Sequence, residues 1–552
     1  MHRSNGRNAR GACPKSTTRH GAAEREPGNT LLPPHAAPTA ALAAFPALLM
    51  GEHARRIPHS PTAFTEDLMK IAEFETLVEN AAETGHSAWT DAAVESGLMR
   101  EVDTHDPRLA YRGRTLLTAH TEIETDTWQS GLNNNVLVLG CSGGGKTRHH
   151  VKPNLLQASG SYIVLDCKGS LYREVGPYLA EAGYVVDQLD FSTMGGTVGY
   201  NPLANVRFVD GEPLQQDIIA IASAICPIED HESDPFWPQA AANYLCAYIT
   251  YVLEALPSTE WHMGSVMQVF EAACSGRVDR MFAQLDADEP GAFAPALYRR
   301  TRVTCGAEKM HSSILGILAA NLMPFGFPEA TNAYRRARQV DFRSFGREKR
   351  ALFVTINDMD RSLDRLTSMF IRQAFCALCD SADHDYPDHR LPVPVRFVLD
   401  DFANLNLPHI DDVLAVIRSR EISCTIICQT ISQLEARYGT PAANSIIGNC
   451  DAQLVLAFQD ERTAQYFATR ANKPASALLE TPAGMWWVFV RGQRGRMEQA
   501  YRLEDHPRYP ELVACLERAE TEAVFSTPDE WEFEEFFDFD EPDEPFSPCP
   551  AA

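Results

Sequence analysis

The chain has 552 residues, room for about three domains, and its 45% hydrophobic and 22% charged residues are ordinary for a soluble globular protein. Its 49 Lys and Arg against 74 Asp and Glu leave a formal net charge of −25, which excludes a general basic coat for nucleic acid and leaves only a local basic strip, such as a channel lumen. Fourteen scattered cysteines are too sparse for a disulfide scaffold and fit a reducing compartment.

The charge is uneven. Residues 1–60 carry a net of +5 and residues 517–552 a net of −12, so a basic head and an acidic tail flank the body. The head is rich in Arg, Ala, Gly, Pro and His without periodicity and reads as disordered. Met50 and Met69 are both possible initiators. The longest apolar run, TAALAAFPALLM (39–50), falls short of the roughly 18 residues that span a membrane.

Regular structure starts near residue 105. NNNVLVLG (133–140) is a buried strand, followed by a Gly-rich turn and a helix over 148–156. SYIVLD (161–166) is the next strand, LYREVGPYLAEAG (171–183) an amphipathic helix and YVVDQLD (184–190) a third strand. This alternation implies a parallel sheet with crossovers. From about 210 to 345 it gives way to helices. In one of them Trp237, Ala241, Tyr244, Leu245, Tyr248 and Val252 form one apolar face. Alternation resumes with ALFVTIND (351–358), a helix over 362–379, strand PVRFVLDDF (394–402), a helix over 409–420 and strand SCTIICQ (423–429). A helix over 431–438, strand DAQLVLAF (451–458), a helix ending at Arg470 and an edge or late strand MWWVFVRG (485–492) complete it. Cys376 and Cys379 form the lone CxxC, inside a helix, and read as a buried reduced pair. The fold class is therefore α/β. The domains run 1–60 (basic segment), 61–209 and 349–510 (two parts of one α/β domain), 210–348 (all-α insertion) and 511–552 (acidic aromatic tail).

Chemistry concentrates at the ends of these strands. Gly140-Cys-Ser-Gly143-Gly144-Gly145-Lys146-Thr147 matches G-x-x-x-x-G-K-[ST] and sits between a buried strand and a helix, where that motif works. Its backbone N–H groups and the helix N-terminus favour phosphate. Lys146 is placed to reach the β- and γ-phosphates of ATP and Thr147 to ligate Mg2+, with Arg148 next in line. VRFVLDDF ends in Asp400-Asp401: Asp400 serves the Mg2+ side and Asp401 the attacking water. Gln429 ends the neighbouring strand, where a polar side chain can sense the γ-phosphate; the plainer reading is a helix start capped by Thr430. Asp166, Lys168 and Gly169 read first as a strand–helix turn, with a nucleotide role as the alternative. Cys141 reads as a tolerated variable position of the loop, or as a thiol whose oxidation would block phosphate.

The phrases KTRHHVKPNLL, SYIVLDCKGSLYREVG, YNPLANV, DPFWPQA, VTINDMDRSLDRL, VLDDFANL, IRSREISCTIICQTISQLEARYG and IIGNCDAQLVLAF together resemble the type IV secretion coupling proteins, the TraG-type conjugative DNA-transfer ATPases, and most of all their Gram-positive-type branch. The resemblance spans about residues 105–505. It implies a RecA-like P-loop motor domain with an inserted all-α domain and a homohexameric ring with nucleotide at subunit edges. The implied partners are a relaxase attached to single-stranded DNA and the secretion channel. Lys146, Thr147 and Asp400 carry over from the family's motifs; Arg361 and Arg420 are candidates for an arginine acting on a neighbouring subunit. The chain departs twice from the pattern. Asp401 stands where the family has Glu, and the family's N-terminal membrane helices have no counterpart, so membrane contact is expected only through a partner. A cytoplasmic protein, peripheral at the inner face of the membrane, is the expectation.

A DNA-stimulated ATPase is the leading function. A nucleotide-binding recruitment scaffold with little hydrolysis and a cytosolic DNA translocase are the alternatives. The tail, PDEWEFEEFFDFDEPDEPFSP (528–548), mixes acids with Trp and Phe and reads either as a solvating segment or as a docking segment for a basic partner such as the relaxase.

Overall fold

The computed structural model describes residues 106–228, 234–304, 307–357 and 363–526, with side chains up to residue 519. All lie in the second of two compact units, Thr104–Ala552. The basic head, the boundary at residue 61, Arg361 and the acidic aromatic run 528–548 fall outside the described residues.

A ten-stranded sheet organises this unit. In chain order its strands are β1 (Val136–Leu139), β2 (Ser161–Asp166), β3 (Val185–Asp190), β4 (Gly195–Gly196), β5 (Arg350–Thr355), β6 (Val395–Leu399), β7 (Ile422–Cys428), β8 (Ala452–Val455), β9 (Met485–Val490) and β10 (Arg496–Gln499). Their spatial order is β10-β9-β8-β1-β7-β6-β2-β5-β3-β4. The seven strands from β8 to β3 are mutually parallel, and β4, β9 and β10 add antiparallel margins. All four residues of β1 and all six of β2 are buried. Strands covered on both faces read as unbroken apolar runs for this reason.

The pleat divides the core in two. Leu137, Leu139, Ile163, Leu165, Phe397 and Leu399 join the larger core cluster, which continues into the helical block. Val136, Val138, Tyr162, Val164 and Val398 join the smaller. There they pack with Leu155 and Leu156 of α1 (Lys152–Leu156) and Leu171, Val175 and Leu179 of α2 (Leu171–Glu181).

Between β4 and β5 the chain builds α3 (Gln215–Ile225), α4 (Phe236–Ala255), α5 (Met263–Cys274), α6 (Val278–Asp288), α7 (Phe293–Thr304), α8 (Glu308–Leu322) and α9 (Pro328–Tyr334). The expected single apolar face of α4 is exceeded. Ala240 through Ala242 and Tyr244 through Thr250 are all buried, because α3, α7 and α8 pack around it. Each fully buried Leu or Ile there contributes about 1.5–3 kcal/mol. Among the described residues no single helix is long and apolar enough to cross a membrane.

The longer helices after β5 are α10 (Asp364–Asp385), α11 (Ile410–Val416), α12 (Ile431–Gly448), α13 (Glu461–Ala471) and α14 (Tyr509–Ser526). Two sequence expectations, the buried cysteine pair and the start of the tail, need correction here. Cys376 is exposed and Cys379 half-buried, because α10 turns Ile371, Phe375, Leu378 and Ala382 inward and Cys376 lies a third of a turn from Phe375. The helix expected over 431–438 does end there: Gly439 leaves helical geometry (φ 76°, ψ 156°), and a second helical segment runs on to Gly448. Of the two readings of MWWVFV, edge or late strand, the late one holds: the turn after Val490 folds β10 back onto β9, and β10 becomes the margin. The tail placed at 511–552 starts inside α14, whose Leu512 and Cys515 are buried in the smaller cluster and whose Arg518 pairs with Glu181 of α2 at 2.6 Å. The acids of that stretch mask a short apolar face at i, i+3, i+4.

Candidate nucleotide site at the carboxyl edge of the sheet

The strand order brings the sequence candidates together. Leu139 of β1 is level with Cys428 of β7, and Leu399 of β6 is level with Ile426 of β7 and Leu165 of β2. The residues just beyond these positions are Gly140, Gln429, Asp400 and Asp166. They share the carboxyl edge of a parallel sheet, where open α/β folds bind ligands.

The loop after β1 is pinned by its neighbours. Gly140 N–H donates to the Cys428 carbonyl at 3.3 Å, Cys141 N–H to the Ala457 carbonyl at 3.2 Å and Gly144 N–H to the Cys141 carbonyl at 3.2 Å. Two glycines have specific reasons. A Cβ at Gly140 would stand 2.7 Å from Leu456 Cβ. Gly145 has φ +84°, and a Cβ there would stand 2.4 Å from His149 Cδ2. The Lys146 ammonium folds over the loop and donates to the carbonyls of Gly140 (2.8 Å) and Cys141 (3.1 Å). Thr147 opens a wide helical turn, Thr147–Val151, closed by Lys152 N–H on the Thr147 carbonyl, which runs on into α1. Gly143 lies at the loop tip with φ +76°, and Cys141 is exposed.

The acid pair follows β6. Asp400 Oδ1 accepts the Asp401 N–H at 3.0 Å. Burial holds the Asp400 carboxyl above its ordinary value, and the neighbouring Asp401 charge adds to this, while Lys146 pulls the other way. Asp401 occupies the left-handed region, φ 48° and ψ 41°. Two residues not singled out from the sequence hold this corner. Arg437 Nε donates to the Ala403 carbonyl at 3.1 Å, and the Tyr438 hydroxyl to the Leu405 carbonyl at 3.0 Å. The Tyr438 ring also stacks on Phe402 at 5.2 Å. Nothing local in EARYG signals this, since the partners lie more than thirty residues upstream.

Gln429 is exposed at the end of β7, with its N–H donated to Gln433 Oε1 at 3.2 Å. Thr430 caps α12 by accepting the Gln433 N–H at 3.1 Å. Asp166 is consumed by its own turn: its carboxylate accepts N–H bonds from Lys168 (3.1 Å) and Leu171 (2.6 Å), and Gly169 N–H donates to its carbonyl at 3.2 Å. Burial raises its pKa, and those backbone bonds oppose the rise. Its geometry is that of a buried carboxylate at the start of α2.

Two arginines stand elsewhere than expected. Arg148, expected at the nucleotide, gives its guanidinium to Glu504. Its helical position turns it away from the loop toward the segment after β10. Arg420 lies before β7, at the opposite, amino edge of the sheet. It makes a two-pronged pair with Asp383 of its own chain at 2.8 and 2.7 Å, so its planar fork is already filled.

The arrangement offers a loop of N–H groups with one ammonium for phosphates. It adds a hydroxyl (Thr147) and a carboxylate (Asp400) on the metal side, and a second, half-buried carboxylate (Asp401) next to it. Among the described residues no group of three or more His, Cys, Asp or Glu could hold a metal by itself. Such a donor set suits Mg2+, which keeps waters and shares phosphate oxygens.

The family model for type IV secretory system conjugative DNA transfer matches residues 97–472. The VirD4 proteins of Rhizobium radiobacter and Agrobacterium fabrum are 23% and 21% identical over 341 residues, 60% of this chain. The matches span 47% and 48% of those proteins, so the chain spans about half the length of the curated relatives it matches. The fold is similar to the bacterial conjugative coupling protein TrwBdeltaN70 in an unbound form, with a TM-score of 0.54 and 16% identity over 72% of this chain and 91% of that one. The plasmid coupling protein TrwB in complex with ADP and Mg2+ gives a TM-score of 0.52 and 14% identity over 73% and 93%. On the family match over most of its described length, this chain belongs to the type IV secretory system conjugative DNA transfer family.

Proposed function

We propose that the chain is the nucleotide-driven coupling protein of a type IV secretion or conjugation system. In this role it binds ATP with Mg2+, hydrolyses it in response to single-stranded DNA and passes a relaxase–DNA substrate to the secretion channel. One observation carries the reading: the Gly140–Thr147 loop, with Lys146 folded over it, shares a sheet edge with Asp400-Asp401 through the β1-β7-β6 neighbourhood. TrwB in complex with ADP and Mg2+ supports the same cargo here.

Lys146 and the loop N–H groups hold the phosphates. Thr147 and Asp400 hold Mg2+, which when bound neutralises charge on the phosphate oxygens. Asp401 orients the attacking water, and Gln429, one strand away, meets the γ-phosphate side. The active assembly is a homohexamer with nucleotide at subunit edges. It works in the cytoplasm at the inner face of the membrane, held there by a partner. Turnover should rise when single-stranded DNA is added to the full-length protein, and Lys146→Ala should abolish it; a Lys146→Ala protein with unchanged turnover would remove the motor reading. The recruitment-scaffold reading is favoured by Asp401, one methylene shorter than the family's Glu. It predicts ATP binding without DNA-stimulated turnover in the unaltered protein.

A further inference from the structure

His149 lies one turn after Gly145, and its ring is fixed on three sides. The His149 backbone N–H donates to the Gly145 carbonyl at 2.8 Å, and the ring's Cδ2 lies against Gly145 where a Cβ would stand. The ring meets fully buried Trp486 of β9 edge-on, with centroids 6.1 Å apart. Nδ1 lies 2.8 Å from the Tyr501 carbonyl. A carbonyl only accepts, so Nδ1 carries the hydrogen.

Tyr501 belongs to a strap, residues 500–508, that follows β10 and tracks the helix behind the loop. Glu504 pairs with Arg148. Gln157 Nε2 lies 3.3 Å from His506 Nε2. Arg508 Nη1 donates to the Leu156 and Gln157 carbonyls at 3.3 and 3.4 Å. The strap lies beyond residue 472, where the family match ends.

We infer that His149 is a positioning residue for the phosphate loop. Its ring, oriented by the Tyr501 carbonyl and Trp486, buttresses Gly145 in the left-handed conformation that curves the loop. Gly145 has no side chain with which to hold that conformation itself. The buttress comes instead from the strap, so the C-terminal segment sets the nucleotide affinity of the N-terminal half of the sheet. This inference rests on the nucleotide-binding reading of the loop.

The test is equilibrium binding of a fluorescent ATP analogue with Mg2+ to the full-length protein, with thermal melting in parallel. His149→Leu fills the space without a donor. His149→Asn keeps a planar group with a donor near the Nδ1 position. Loss of one hydrogen bond should weaken binding in His149→Leu by about 3–10-fold, and His149→Asn should restore most of it at a similar melting temperature. Equal affinities for the two variants would overturn the inference, as would a fall in melting temperature with affinity unchanged. Lys146→Ala serves as the reference. If it abolishes binding while the two His149 variants agree, only the positioning role fails; if it binds normally, the nucleotide reading itself fails.

Discussion

Replacing Asp401 by Asn separates the chemistry of its carboxylate from the shape of its backbone. The residue stands at φ 48° and ψ 41°, a region that Asp and Asn enter readily and most other residues at a cost of about 1–2 kcal/mol. Asp401→Asn therefore removes the charge and leaves the turn in place. If the carboxylate orients water, turnover should fall by roughly 10²–10⁴-fold, about 3–5 kcal/mol of barrier, with ATP binding retained. The Asp400 carboxyl, raised by burial and then by the Asp401 charge, should ionise at a lower pH in this variant. The acid limb of Mg2+-dependent binding should shift the same way. Asp401→Glu restores the family's reach, and from sequence alone it is expected to keep or raise the rate. The left-handed backbone adds about 1–2 kcal/mol of strain to that exchange, so the variant should melt at lower denaturant even where it turns over. Steady-state hydrolysis, nucleotide binding and urea melts on the same preparations decide the matter. An Asp401→Asn enzyme within tenfold of the parent rate would refute the role of this carboxylate.

Acid should weaken the fold through His150, which is buried behind the loop with a pKa pushed down to about 4 from 6.5 by burial. Its folded state refuses a proton that the unfolded chain accepts, so stability is complete above about pH 6.5. It is lost as pH falls toward 4, to a limit of about 3 kcal/mol. His150→Asn should flatten this part of the pH–stability curve measured by denaturant melts, and an unchanged slope would refute it. His506 of the strap, lowered to about 4 by burial and then by Arg508, acts with the same sign. Arg420→Ala should lower stability by about 1.5–3 kcal/mol, the range for hydrogen bonds to charged groups, and leave turnover per folded subunit near the parent value; loss of turnover with stability intact would restore a trans-acting role. Leu512→Ala should cost about 2–5 kcal/mol in a urea melt, whereas deletion after Ser526 should leave the midpoint unchanged and weaken capture of a relaxase in a salt-sensitive way. Undiminished capture at low salt would remove the docking role of the tail.

Local pattern was sufficient for much of this chain. Gly140–Thr147 is legible because strand, glycine turn and helix follow within a few residues, and the apolar runs of β1, β2, β5, β6 and β7 stand out because strands covered on both faces need no polar alternation. The helical block between β4 and β5 is legible from its 3.6-residue period. Tertiary structure alone decided which strands are neighbours. β7, formed nearly three hundred residues after β1, lies between β1 and β6, and that pairing puts Gln429 and Asp400-Asp401 on the edge of the Lys146 loop. It also decided where long cationic side chains go. Arg148 turns to Glu504 and Arg420 to Asp383, because a guanidinium follows whichever carboxylate the fold brings within reach. His149 and α14 show the same limit: their roles depend on a carbonyl and a buried face supplied by distant segments, and such partners leave little mark in the sequence around the residue itself.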